Sequence, residues 1–265
     1  MNNKFIGVFD SGIGGLTVVK SIAEAMPDEN IIYFGDTAHV PYGSRPKEQI
    51  TELVLNNVKF LNSFDVKAIV IACNTADSVA RSKIEELYPL PVFGVVEPAS
   101  QTAAKTTRNN KIGVIATAAT VNSGSYERKI STFNPDAKVI STACPKLVPL
   151  VEQGKFNKGD KETEKVLAEY LAPLKEQGID TLVLGCTHYP LLTDIISDIM
   201  PEVSIVSSSL CAVNELKSSL KAQKLQSNIK GSERKYFVSG DADSFENLAR
   251  VFMGNLGGNV RHADI

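Results

Sequence analysis

The chain is 265 residues long, 43% hydrophobic and 22% charged, with a formal net charge of -2. That composition belongs to a soluble globular protein with material for one large or two ordinary domains, and the near-neutral charge excludes a general attraction to nucleic acid or anionic lipid. No apolar stretch approaches the roughly 20 residues that cross a bilayer, and Met1 to Lys4 leads into a strand-like run with no leader pattern, so the expected location is the cytoplasm.

Short apolar runs alternate with helical patterns along the chain. Lys4 to Asp10 predicts a strand, Gly14 to Ala25 a helix stopped by Pro27, and Asn30 to Asp36 a second strand. Ser44 to Leu61 predicts a helix with Pro46 in its first turn. AIVIACNT (Ala68 to Thr75) is a strand ending on a cysteine, followed by a helix to Leu87. Pro91 to Val96 predicts a fourth strand, with a helix after it through Ala104.

Then the cycle restarts. KIGVIAT (Lys111 to Thr117) echoes FIGVFDS (Phe5 to Ser11), and TLVLGCTH (Thr181 to His188) echoes AIVIACNT. From Gly7 to Cys73 is 66 residues and from Gly113 to Cys186 is 73, a spacing that points to an ancient duplication. The second half adds a strand near Lys138 to Ser141, a helix from Asp160 to Lys175 bent at Pro173, and a strand at Val203 to Val206 before a helix after Ser209. Lys235 to Asp241 and a helix from Ser244 to Phe252 are extra to the repeat and are expected to pack on the first half. Helices between strands force parallel pairing. The expected fold is therefore α/β: two doubly wound parallel-sheet domains related by pseudo-two-fold symmetry, with the active site in the cleft between them. The expected division is residues 1–97 plus 207–265, with Cys73, against 98–206, with Cys186.

Open α/β sheets place their chemistry just past the carboxyl ends of strands, where Cys73 and Cys186 fall. Four cysteines without a Cys-x-x-Cys pair, and three scattered histidines, argue against a disulfide framework and against a structural metal site. Cys144 and Cys211 read as small apolar residues. The duplicated context of Cys73 and Cys186 reads instead as a pair of reactive thiols, each followed by a helix or turn whose amides stabilise a thiolate. His188 is either a structural histidine or a proton partner of Cys186, and Glu152 is ambiguous from spacing alone. The first loop, DSGIGG (Asp10 to Gly15), admits a dinucleotide turn, a structural turn, or a polar substrate site built on Asp10 and Ser11; Thr17 stands where a dinucleotide loop has Gly or Ala. Gly35 to Pro46 is either a wall of the pocket, through Tyr42, Gly43 and Ser44, or an ordinary surface connection.

Two thiols on opposite sides of an amino acid can invert it: one removes the α-proton and the other gives a proton to the far face. With each sulfur in near-attack contact with the α-carbon, the two should lie about 7 Å apart. The larger task is stabilising the carbanion, with donors aimed at the substrate carboxylate; Asn74, Thr75, Thr187 and Ser11 carry such donors.

FDSGIGGLTVVKSI, GDTAHVPYGS, ACNTA, GVVEPA and LGCTHYPLL, in this order and spacing, closely resemble the glutamate racemases of the cofactor-independent aspartate/glutamate racemase family. The likeness runs through nearly the whole chain, including CPKLVPLVE and FVSGD. It implies an isomerase that interconverts L- and D-glutamate for peptidoglycan synthesis, with no pyridoxal phosphate, no other cofactor and no metal. It implies a small-molecule partner, no nucleic acid and no membrane, and it leaves a homodimer open. Carried over by position, Cys73 acts on the D enantiomer and Cys186 on the L enantiomer, with Asp10 assisting Cys73, His188 assisting Cys186, and Glu152 auxiliary. Asp10, Ser11, Tyr42, Gly43, Ser44, Asn74, Thr75, Thr187 and His188 would contact substrate. Asp77 and the segment Val206 to Leu216 depart from the family pattern. Rival readings are a relative acting on aspartate, hydantoins or maleate, a non-catalytic two-lobed binding module, and a single-thiol Cys–His hydrolase.

Overall fold

The computed structural model describes residues 3–227 and 229–265. Met1 and Asn2, the head of the Met1 to Lys4 lead-in, and Asn228 lie outside the described residues. The first half runs β1 (Phe5–Asp10), α1 (Leu16–Ala25), β2 (Ile31–Gly35), α2 (Lys47–Asn62), β3 (Val66–Ile71), α3 (Asn74–Leu87), β4 (Val92–Phe93) and α4 (Val96–Thr106). The second runs β5 (Lys111–Ala116), α5 (Ala118–Ser123), α6 (Ser125–Phe133), β6 (Lys138–Ala143), α7 (Leu147–Glu152), α8 (Lys161–Glu176), β7 (Thr181–Gly185), α9 (Thr193–Ile199) and β8 (Ser204–Ser207). α10 (Ser208–Ala222), β9 (Arg234–Val238), α11 (Ala242–Met253) and β10 (Val260–His262) complete the chain.

Two all-parallel sheets result, in the orders β10-β9-β2-β1-β3-β4 and β6-β5-β7-β8. Without β9 and β10 the two orders coincide, β2-β1-β3-β4 against β6-β5-β7-β8. The register coincides as well: Gly7 on β1 pairs with Ile69 on β3, and Gly113 on β5 with Leu182 on β7. Cys73 follows Ile69, and Cys186 follows Leu182, by the same four residues. The two thiols therefore occupy equivalent places in equivalent sheets. Every residue of β2, β3 and β7 is buried, which is why these strands read as unbroken apolar runs. The helices bury a stripe at three- and four-residue spacing, as Ile50, Val54, Val58 and Leu61 do on α2.

The extra segment packs on the first half, with β9 parallel to β2 and β10 added at the edge. A buried ion pair ties down its approach: Lys67 Nζ lies 2.5 Å from Glu29 Oε2 and donates to the Leu225 carbonyl, while Glu29 Oε1 accepts from the Ser227 N–H.

Several elements depart from the sequence reading. α2 starts at Lys47, with Pro46 as its N-cap residue and no side-chain cap, so Ser44 neither opens nor caps it. α8, by contrast, keeps its expected span as Lys161–Glu176, with Pro173 in its last turn. The fourth strand shrinks to Val92 and Phe93 because a long-range contact starts a helix there. Buried Asp77 Oδ2 accepts the N–H groups of Val95 (2.8 Å) and Val96 (2.7 Å), two donors at the head of α4. Asp77 thus joins the helix that follows Cys73 to the helix that leads into the second sheet. Asp77→Ala should lower stability by about 2 kcal/mol in urea unfolding, since it strands two buried donors. Asp77→Asn, which keeps an acceptor, should cost less. Equal midpoints for Asp77→Ala and the parent protein would contradict the capping role.

Candidate active site

Cys73 is the N-cap residue of α3, so its sulfur sits at the positive end of that helix. The thiol lies 3.6 Å from Ser11 Oγ. Burial is the main force on it and pushes its pKa up to about 12, with help from the Asp10 charge; the Ala76 N–H and the hydroxyl and N–H of Ser11 pull the other way. Ionisation is then uphill by roughly 7 kcal/mol at neutral pH, so the free protein holds Cys73 as a thiol.

Asp10 ends β1 and folds the first loop around itself. Its Oδ2 accepts the N–H groups of Gly12 (3.1 Å) and Gly15 (3.0 Å), and Tyr33 secures the loop by donating to the Gly12 carbonyl at 2.5 Å. The Gly12 and Gly15 amides are thereby taken by a carboxylate, which leaves the dinucleotide reading without its phosphate cradle. Burial raises the Asp10 pKa; the nearby His188, the two loop amides and Cys73 oppose that rise. Asp10 Oδ1 is buried and unpartnered.

Cys186 follows β7, as Cys73 follows β3, but its surroundings differ. No long helix begins here; a short 3-10 helix, Tyr189–Leu192, comes next. The Cys186 sulfur instead lies 3.7 Å from His188 Nδ1, and His188 Nε2 lies 3.1 Å from Glu152 Oε1 at the end of α7. Burial pulls the His188 pKa down, but the hydrogen bonds to Cys186 and Glu152 and their negative charge outweigh it and raise it to about 10. At neutral pH the imidazole is protonated.

The two halves meet at these strand ends. Gly14, in the first loop, is so close to the second half that a β-carbon there would lie 2.6 Å from His188 Cε1 and Nδ1 and collide with the Thr187 hydroxyl. Cys73 thus lies against Ser11 of the first loop, while Gly14 of the same loop touches the two residues that follow Cys186, and each cysteine is 6% exposed.

Other expected substrate contacts are already committed through their side chains. Asn74 donates to Ser208 Oγ (3.2 Å) and accepts from the Tyr126 hydroxyl (2.6 Å), while Thr75 Oγ1 lies 2.9 Å from Thr117 Oγ1. The bonds to Tyr126 and Thr117 cross to the second half and that to Ser208 reaches the head of α10, so what Asn74 and Thr75 can offer a ligand is the first-turn N–H groups of α3. Tyr42 is buried; its hydroxyl donates to Asp36 Oδ2 at 2.5 Å and accepts from Asn57, which removes the expected hydroxyl from the pocket. Gly43 faces Thr117 across the junction, and Ser44 is exposed. Ser11 and Thr187 stand beside the two sulfurs. Cys144 is buried as expected, whereas Cys211 is half-buried and donates to Thr102 Oγ1 at 3.4 Å. Tyr33, Tyr126 and Ser208 escape sequence reasoning: their partners are distant in the chain, and only the serine run Ser207 to Ser209 marks the junction.

Residues 6–216 match the profile of the Asp/Glu/hydantoin racemase family. A glutamate racemase of a Sulfurihydrogenibium species is 43% identical over 95% of this chain and 94% of its own length. The crystal structure of a glutamate racemase from Bacillus anthracis superposes with a TM-score of 0.94 at 36% identity, covering 100% of this chain and 99% of that one. One from Francisella tularensis, solved in complex with D-glutamate, gives 0.91 at 36% identity, covering 100% and 98%.

A methyl group at position 14 has no place to go except into the Thr187 and His188 side chains. Gly14→Ala should therefore push the imidazole off Cys186 and Glu152, the two hydrogen-bond partners that raise its pKa, and leave burial to dominate. The His188 pKa, read by NMR titration, should fall from about 10 to the ordinary histidine value or below. An unchanged titration would show that the loop does not press on His188.

Proposed function

The chain belongs to the Asp/Glu/hydantoin racemase family, and on that footing we propose that it interconverts L- and D-glutamate by proton transfer between Cys73 and Cys186 across the α-carbon. The observation that carries this reading is the shared register, which sets two thiols at equivalent strand ends, Cys73 beside Ser11 of the first loop and Cys186 just before the Thr187 and His188 that Gly14 of that loop touches. An amino-acid racemase needs an acid and a base on opposite faces, and the surroundings of the two sulfurs differ in the way that supplies one of each. Cys73 keeps its proton. Cys186 has His188 Nδ1 3.7 Å from its sulfur, a partner for the proton that a base must hand on.

The Cys186 thiolate takes the α-proton of L-glutamate. The electron pair left on the α-carbon forms a new C–H bond with the proton that Cys73 gives from the other side, so D-glutamate leaves with Cys73 as thiolate and Cys186 as thiol. That second form runs the reaction backward. Asp10 beside Cys73, and the His188–Glu152 pair beside Cys186, supply the proton exchange that restores the first. The carboxylate of the substrate takes the free amides at the head of α3, with Ser11 and Thr187 as further donors; an anion at a helix N-terminus is favoured by both the amides and the dipole.

The same reading assigns residues 1–97 plus 207–265 to a Cys73 domain and 98–206 to a Cys186 domain. In support, α4 leaves the first sheet and packs against α6, β7 and β8, and α10 leads back toward α1. Among the described residues no helix is long and apolar enough to cross a membrane, and we place the enzyme in the cytoplasm, supplying D-glutamate for peptidoglycan.

Circular dichroism of L-glutamate and L-aspartate incubated with the pure protein tests the reading. L-Glutamate should lose its signal and L-aspartate keep it. Cys73→Ala and Cys186→Ala should each lower racemisation by at least ~1,000-fold, in line with loss of a positioned proton donor or acceptor. Turnover that survives Cys73→Ala or Cys186→Ala, or a preference for aspartate, would overturn it.

A further inference from the structure

Thr17 spoils a dinucleotide loop, and nothing in the reaction above uses it. Its hydroxyl nevertheless sits where the two halves touch. Thr17 Oγ1 lies 2.9 Å from the Gly14 carbonyl, 3.1 Å from the Thr187 carbonyl and 3.4 Å from Ser209 Oγ. A hydroxyl has one proton to give. The Gly14 carbonyl lies in Thr17's own turn and also accepts its N–H at 3.0 Å, whereas the Thr187 carbonyl is the acceptor that the same hydroxyl reaches in the second half. Ser209, at the head of α10, can then donate to the Thr17 oxygen.

The Thr187 peptide joins Cys186 to His188. Fixing its carbonyl fixes the turn that holds the imidazole against the sulfur, and it does so from the first turn of α1, the helix that emerges from the Asp10 loop. We propose that Thr17 is a positioning residue for racemisation: its hydroxyl clamps the Cys186–Thr187–His188 turn to the Asp10 loop and keeps the two halves of the site in register. The mechanism it serves is the two-thiol reading above, but the clamp itself concerns only the geometry around Cys186. Ser209, at the head of α10, is the third member of the clamp.

Thr17→Val keeps the shape of the side chain and removes the hydroxyl; Thr17→Ser keeps the hydroxyl. The first readout is iodoacetamide alkylation followed by peptide mass spectrometry, which reports Cys73 and Cys186 separately and needs no turnover. Thr17→Val should change the Cys186 rate by roughly threefold or more, leave the Cys73 rate within twofold, and be rescued by Thr17→Ser. The second is the primary isotope effect with α-deuterated substrates. Thr17→Val should lower kcat roughly 10- to 100-fold, the scale of a sub-ångström to 1 Å misplacement. It should raise the isotope effect for L-glutamate, which Cys186 deprotonates, more than for D-glutamate. Unchanged alkylation, or equal changes at both cysteines or with both enantiomers, would overturn the clamp. A parent protein that fails to racemise glutamate yet shows the Cys186-selective change would sink the functional reading and leave the clamp standing.

Discussion

The site depends on a polar seam between two sheets whose central strands are buried. At the strand ends, Thr17 meets the Thr187 carbonyl, Asn74 meets Ser208 and Tyr126, and Thr75 meets Thr117. Each group is buried or nearly so, and a buried polar group left unpaired costs on the order of 1–3 kcal/mol. The halves are thereby held to one relative placement by partners that must find each other, a more specific constraint than apolar contact gives. Gly14 allows the approach, because a β-carbon there would run into the Thr187 and His188 side chains.

Within that frame, the two halves share a topology and differ in electrostatics. Duplication delivers Cys73 and Cys186 to the same register position. Cys73 is left with a helix N-terminus, a neighbouring carboxylate and deep burial; Cys186 has an imidazole backed by Glu152. A symmetric pair in identical surroundings would start with no preference for which sulfur holds the proton. In the proposed reaction the different partners would set that preference, and the shared placement would keep both directions open.

The repeat was legible because its signal is local: Ile6-Gly7-Val8 and Ile112-Gly113-Val114, and two apolar runs ending on cysteine, come from strands buried on both faces. What was not legible depends on contacts distant in sequence. Val95 and Val96 extend an apolar run and so look like strand, yet a carboxylate eighteen residues back turns them into a helix start. α5 and α6 are weakly marked, since α6 buries only Ser125, Tyr126 and Ile130; β10 is three residues with two polar side chains at a sheet edge. In the site, the residues beside the sulfurs could be named from their motifs, but the employment of their side chains could not. Tyr42, Asn74 and Thr75 carry the right chemistry for a ligand and spend it on Asp36, Ser208, Tyr126 and Thr117 instead.

The central claim is that two different sulfurs act on opposite faces of one carbon. Initial-rate conversion of L-glutamate in D₂O, with mass spectrometry of each enantiomer after chiral separation, tests it most directly. The account predicts D-glutamate carrying one solvent deuterium at the α-carbon while the remaining L-glutamate stays unlabelled in the first turnovers. Product that retains the original hydrogen, or L-glutamate that gains deuterium as fast as product forms, would point to one base serving both faces and contradict it.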